Sequence, residues 1–160
     1  MALTKGTNSY VTLAEADSYF SDRLDVAAWS VGSETQKQQA LITATSILDT
    51  LEWTGIAVSD SQSLAFPRIG TYFDPRLGKE VSMQDSLFVT QRINTATFEL
   101  AYHLLNNDGL LDNSGSVIDL QIGTIELRKV RKADKLPQVV KAFIKPLMVN
   151  RGSNSWWRAN

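Results

Sequence analysis

Apolar residues recur at helical spacing in four stretches of the chain, and each stretch is bounded by residues that start or stop a helix. Thr12-Leu13-Ala14-Glu15 is a capping box, in which the Thr12 hydroxyl accepts from the Glu15 amide and the Glu15 carboxylate reaches back to the Thr12 amide. Leu13, Ala16, Phe20 and Leu24 follow on one face, leaving Asp17, Ser18 and Asp22 to water. Ser33-Glu34-Thr35-Gln36 repeats the capping logic, and Ala40, Leu41, Ala44, Ile47, Leu48 and Leu51 form the clearest stripe in the sequence. A third helix begins near Asp85, carries Val89, Ile93, Ala96, Leu100, Ala101, Leu104 and Leu105, and stops at Asn106-Asn107-Asp108-Gly109. It is expected to pack on the second. Pro137 suits the first position of a fourth helix, whose buried side is Val140, Phe143, Ile144 and Leu147, and Pro146 should end or kink it.

Two stretches break the helical period. After Trp53 some thirty residues carry Gly55, Pro67, Gly70, Pro75 and Gly78 as punctuation, with Phe66, Tyr72 and Phe73 as candidate anchors. Between Val117 and Val130 the period is two. A two-residue turn at Gly123-Thr124 sets Ile122 opposite Ile125, Leu120 opposite Leu127, Ile118 opposite Lys129 and Asp119 opposite Arg128. The pattern therefore predicts a mainly α fold: a four-helix small domain over residues 1–150, with a long irregular loop at 54–84 and one β-hairpin at 117–130. An extended C-terminal tail follows at residues 151–160.

Composition narrows the class. At 160 residues the chain suits one domain with a real core. It holds no cysteine, which removes disulfides and thiolate chemistry and suits assembly in a reducing cytoplasm. No apolar run approaches the length that crosses a bilayer, so no membrane partner is expected.

Catalytic groups are scarce. His103 is the single histidine and flanks the Leu100/Leu104 stripe, where a structural role is expected. Asp108, Asp112 and Asn113 miss the calcium-loop spacing, and Arg76-Leu77-Gly78-Lys79 lacks the strand and helix start of a phosphate loop and reads as a turn. The pairs Glu15/Asp17 and Asp22/Asp25 fall on solvent faces with no third group converging on them. No enzyme activity, cofactor or metal is expected.

Charge is distributed unevenly. Leu127 to Asn160 holds nine Lys or Arg against Asp134 alone, whereas residues 1–126 hold seven basic and sixteen acidic residues, so a net charge of −1 hides a dipolar chain. The basic arm Arg128, Lys129, Arg131, Lys132 and Lys135 suits phosphates in a sequence-independent way, and suits equally the acidic body of a second copy. Copies laid head to tail close into rings when the rotation permits. Trp156 and Trp157, flanked by Arg151, Ser155 and Arg158, suit either a plug into a partner or an anchor on their own domain.

Four ordered blocks carry a resemblance: NSYVTLAEADSYF from Asn8, ALITATSILDTLEWTG from Ala40, Leu64-Ala65-Phe66-Pro67-Arg68, and Leu136-Pro137 through Pro146-Leu147. Together they resemble a phage family whose members are often labelled DnaT-like single-stranded DNA-binding proteins and are similar to head-tail connector or adaptor proteins of tailed phages. The resemblance implies a helical protein of the virion that forms a ring, expected to be a twelve-subunit one, under the portal protein. Residues 151–160 would reach onto the portal, a downstream tail or nozzle protein would bind below, and duplex DNA would pass through the channel without sequence-specific contact. The basic arm is then expected at subunit or portal contacts. The alternative is a single-stranded DNA-binding accessory protein of phage replication.

Overall fold

A computed structural model describes residues 2–84, 86–106 and 136–149, together with the strands Val117–Ile122 and Ile125–Val130. Among the described residues are five α-helices and three two-stranded antiparallel ladders, giving a mainly α small domain. The first helix, α1 (Leu13–Ser21), starts as the pattern requires: the Thr12 hydroxyl accepts from the Glu15 amide, and the Glu15 carboxylate accepts from the Thr12 amide at 2.7 Å. Lys5 pairs with Glu15. Partial desolvation pushes the Glu15 carboxyl up, but the Lys5 ammonium and the Thr12 donors override it and hold it below the usual carboxylate range.

The helix ends three residues before Leu24, which is 91% exposed rather than part of the buried face. A second helix, α2 (Ala27–Val31), was not expected from the pattern. It is five residues long and has no side-chain cap, so it lacks every local signal that marks a helix. Tertiary contacts hold it instead: Trp29 is buried against Phe20, and its indole N–H donates to Asp17 at 2.9 Å. Asp17, assigned to water by its position, is half exposed and also takes Lys37 at 3.2 Å.

The third helix, α3 (Glu34–Asp49), has the expected second capping box, with Ser33 and Gln36 exchanging bonds. Its stripe buries Ala40, Leu41, Ala44 and Leu48, with Thr45 buried beside them and Ile47 and Leu51 half-buried at the edge. Fully burying a leucine side chain such as Leu41 or Leu48 contributes roughly 1.5–3 kcal/mol, more than any cap or surface ion pair in the chain.

The stretch 54–84 is more ordered than its punctuation implied. Short strands β1 (Ile56–Ala57) and β2 (Arg68–Ile69) pair with each other, and β3 (Thr71–Asp74) and β4 (Lys79–Ser82) pair in register Thr71 to Ser82 through Asp74 to Lys79. Pro75-Arg76-Leu77-Gly78 is the turn between them, one residue earlier than the pattern placed it, closed by the Leu77 and Gly78 amides on the Asp74 carbonyl, while Lys79 opens β4. Gly55, with φ of 78°, permits the crossing of the first pair, because a Cβ there would lie 2.4 Å from the Ile69 carbonyl oxygen. Phe66 and Tyr72 anchor the stretch as expected, but Phe73 is 55% exposed, since alternation in β3 turns it away from Tyr72 and Asp74.

Helix α4 (Leu87–Leu105) is the central element and forms its most extensive pairings with α3 and with α5 (Gln138–Ile144). Its expected stripe is buried from Val89 to Ala101. Pro137 sits one residue earlier than anticipated, as the N-cap of α5: its ψ of 147° is extended, and its carbonyl accepts the Lys141 amide. Pro146 lies in a single 3-10 turn, Lys145–Leu147, where the α-helix has already ended. From there the chain returns to the exit of α3, with Thr54 N donating to Leu147 O and Val149 N to Glu52 O.

Strands β5 (Val117–Ile122) and β6 (Ile125–Val130) pair in the anticipated register, Ile122 with Ile125, Leu120 with Leu127, Asp119 with Arg128 and Ile118 with Lys129.

Candidate functional site

Three of the sequence blocks that carry the family resemblance meet at one place, and their contacts are structural. The Tyr10 hydroxyl donates to the Asp49 carboxylate, and the Ala65 amide donates to the same oxygen at 3.2 Å. Burial and then the Asp49 carboxylate push the Tyr10 hydroxyl far above its ordinary value, so it remains a donor. Phe66 packs edge-on against Tyr10 and Trp53, and the Arg68 guanidinium donates to the carbonyls of Thr54, Gly55 and Ala65. These residues fasten the 54–68 stretch to α3. They do not converge on a space where a reacting group could sit.

Two further clusters lie at opposite ends of α4. At its N-terminal end the Asp74 carboxylate is fully buried, accepting the Tyr72 hydroxyl at 3.0 Å and the Arg76 amide at 2.9 Å. Two guanidinium groups stand just beyond hydrogen-bond range, Arg76 at 3.6 Å and Arg92 at 3.7 Å. Burial would raise the Asp74 pKa, but these donors and cations override it and hold it below the ordinary 3.8. Two cations share one anion here, leaving a net positive charge.

The Arg76 guanidinium lies 3.3 Å from the centroid of the Phe88 ring. Together with Gln91, Arg92, Thr95 and Phe143 they line a groove of about 290 Å³. Arg92 is fixed by donating to the Phe143 carbonyl at 3.3 Å.

At the C-terminal end, Glu99 is buried and accepts both Arg23 Nε and Nη2, at 2.8 and 2.9 Å, as well as the Tyr19 hydroxyl at 2.6 Å. Burial and then Glu99 push the Tyr19 hydroxyl well above its ordinary value. Arg23 Nη1 also donates to the carbonyls of Leu24 and Asp25, pinning the turn that leaves Leu24 in water.

The residues expected to carry function are placed elsewhere. Arg128 and Lys129 belong to β6, opposite Asp119 and Ile118. Arg131, Lys132, Lys135 and the tail residues Arg151, Ser155, Trp156, Trp157 and Arg158 lie outside the described residues, as do Asp108, Asp112 and Asn113. His103 is half-buried beside the Tyr102 ring. Among the described residues no group of three or more His, Asp or Glu could hold a metal ion, and no helix is long and apolar enough to cross a membrane.

Arg76, Phe88, Arg92 and Phe143 were not singled out as a site. Arg76 read as part of a turn, and the available signal was Arg92, a cation set beside the buried Ile93 in the stripe of α4.

The chain matches the family described as "Putative DnaT-like ssDNA binding protein" over residues 2–159. The chain belongs to that family. No curated protein matches, and no solved structure matches. The family's description names single-stranded DNA and is silent on heads, tails and rings.

Proposed function

We propose that the chain is a structural, non-catalytic adaptor at the head-tail junction of a tailed phage, acting through protein-protein contacts. In this reading it forms a ring, a dodecamer, that docks on the portal through residues 151–160 and carries a downstream tail protein, while duplex DNA passes through. The observation that carries it is the set of large apolar side chains left in water: Leu24 at 91%, Val31 at 85%, Leu87 at 78% and Ile56 at 67% exposure. Under the adaptor reading these side chains are the contact points that other protein chains cover. Four arginines of the helical body support the same reading. Arg23, Arg68 and Arg92 all spend donors on their own fold, and Arg76 stacks on Phe88 beside Asp74.

A second reading, single-stranded DNA binding in phage replication, is favoured by the family's description. It calls for exposed rings interleaved with free cations. Among the described residues Phe73 is the one aromatic whose ring is largely in water. The basic arm Arg128, Lys129, Arg131, Lys132 and Lys135 would then have to supply the phosphate contacts.

The deciding experiment is a portal pull-down with the full chain and with a chain ending at Asn150, run beside an oligonucleotide titration at two salt concentrations. The adaptor reading expects portal capture by the full chain, its loss on truncation with an unchanged circular dichroism spectrum, and weak, non-saturating oligonucleotide binding. A full chain that ignores the portal yet binds a single strand with a steep salt slope contradicts it and supports the second reading.

A further inference from the structure

The two ends of α4 present unlike surfaces. Eleven residues separate Phe88 from Glu99, so about 16 Å of helix rise divides the arginine groove from the Arg23–Glu99 clasp. At the clasp end Leu24 stands out of the surface, flanked by the exposed acids Asp22 and Asp25. Asp25 has a φ of 55°, a conformation that side chains other than glycine rarely adopt. Arg23 stabilises it by donating to the Leu24 and Asp25 carbonyls at 3.3 and 3.1 Å while Glu99 grips the same guanidinium. A buried ion pair thus holds an apolar side chain in water, in a fixed place.

The groove at the other end has complementary properties. Phe88 and Phe143 give it apolar walls, and Arg76 and Arg92 share the single Asp74 carboxylate at distances too long for hydrogen bonds. Its volume of about 290 Å³ admits a leucine side chain, and the exposed Leu77 and Leu87 lie near in sequence to Arg76 and Phe88.

We propose that the Asp22–Asp25 loop of one copy seats in the Arg76–Phe88 groove of the next, with Leu24 between the two phenylalanines and its acidic flank against Arg76. Knob and groove sit at opposite ends of one helix, so the contact is head to tail. Repetition of such a contact propagates, and it closes into a ring when the rotation per copy allows. The inference deepens the ring in the adaptor reading and rests on it for biological purpose, but the contact itself stands on the residues above.

The absence of native cysteine makes a disulfide trap clean. Leu24→Cys chains mixed with Gln91→Cys chains should give a covalent heterodimer under mild oxidation. They should do so about tenfold faster or more than Leu24→Cys mixed with Ser46→Cys, an exposed position on α3, because docking raises the local thiol concentration. The double variant Leu24→Cys/Gln91→Cys should give a ladder of multimers. Adding Asp22→Lys to the Leu24→Cys chain should slow the trap, and circular dichroism should show every variant folded. Trapping no faster than the Ser46→Cys control overturns the contact. If the same variants still dock on the portal, the adaptor reading survives that failure; a fast trap in chains that ignore the portal sinks the adaptor reading and leaves the contact standing.

Discussion

Arg23 and Glu99, 76 residues apart in sequence, form a two-pronged ion pair that joins the exit of α1 to the last third of α4. The Glu99 side chain is 4% exposed and the Arg23 side chain 27%. Burial would lower the Arg23 pKa, but Glu99 overrides it and raises it, so the pair stays charged. Removing one member of a buried pair typically costs about 3–5 kcal/mol, and the partial exposure of Arg23 brings the expectation for Arg23→Ala down to about 2 kcal/mol. Glu99→Met should cost less, since the stranded guanidinium can turn to water while a stranded carboxylate cannot. Urea unfolding of the two variants checks the order.

The Asp74 carboxyl makes stability depend on pH. Its folded pKa lies below the unfolded value near 3.8, so its contribution is fully present above that value and is lost as pH falls through the lowered folded pKa. Asp74→Asn should therefore be less stable than the parent at neutral pH, and the gap should narrow with acidification. Urea midpoints measured from about pH 6 to about pH 2.5 report it. Parallel acid limbs for the two proteins would contradict the assignment.

The capping boxes carry the first turns of α1 and α3. Thr12→Ala and Ser33→Ala should each cost about 1 kcal/mol, with an unchanged dependence on denaturant concentration. Thr12→Asn should retain most of the stability, because asparagine caps as well as threonine does.

Exposure separates two leucines of equal size. Leu100, fully buried in the last third of α4, should cost about 2–5 kcal/mol on truncation to alanine. Leu24→Ser, in water at 91% exposure, should leave the unfolding midpoint within about 0.5 kcal/mol of the parent. The polar Leu24→Ser change should weaken the self-association detected by analytical ultracentrifugation at high protein concentration, whereas Leu24→Cys, which keeps a small apolar side chain and the acidic flank, should retain it.

Strong local signals carry directly into the structure. Both capping boxes, the buried stripe of α4 and the pair-by-pair register of β5 with β6 follow from residue type and spacing alone. The five-residue α2 and the two-residue strands β1 and β2 escaped because tertiary contacts hold them, the Trp29–Phe20 packing in one case and the Arg68 bonds to carbonyls in the other. The groove escaped for a similar reason. Asp74 and Arg92 lie eighteen residues apart, and neither marks the other until β3 and α4 are packed together. Charge along the chain is densest instead in the basic arm, of which Arg128 and Lys129 belong to the β5–β6 ladder.

The central claim is that this chain assembles onto other proteins. Electron microscopy of the purified chain mixed with its portal tests it most directly: the account predicts an added ring of density at one face of every portal particle, absent when the chain ends at Asn150. Portal particles left bare by the full chain, with the chain itself dispersed as monomers, would contradict it.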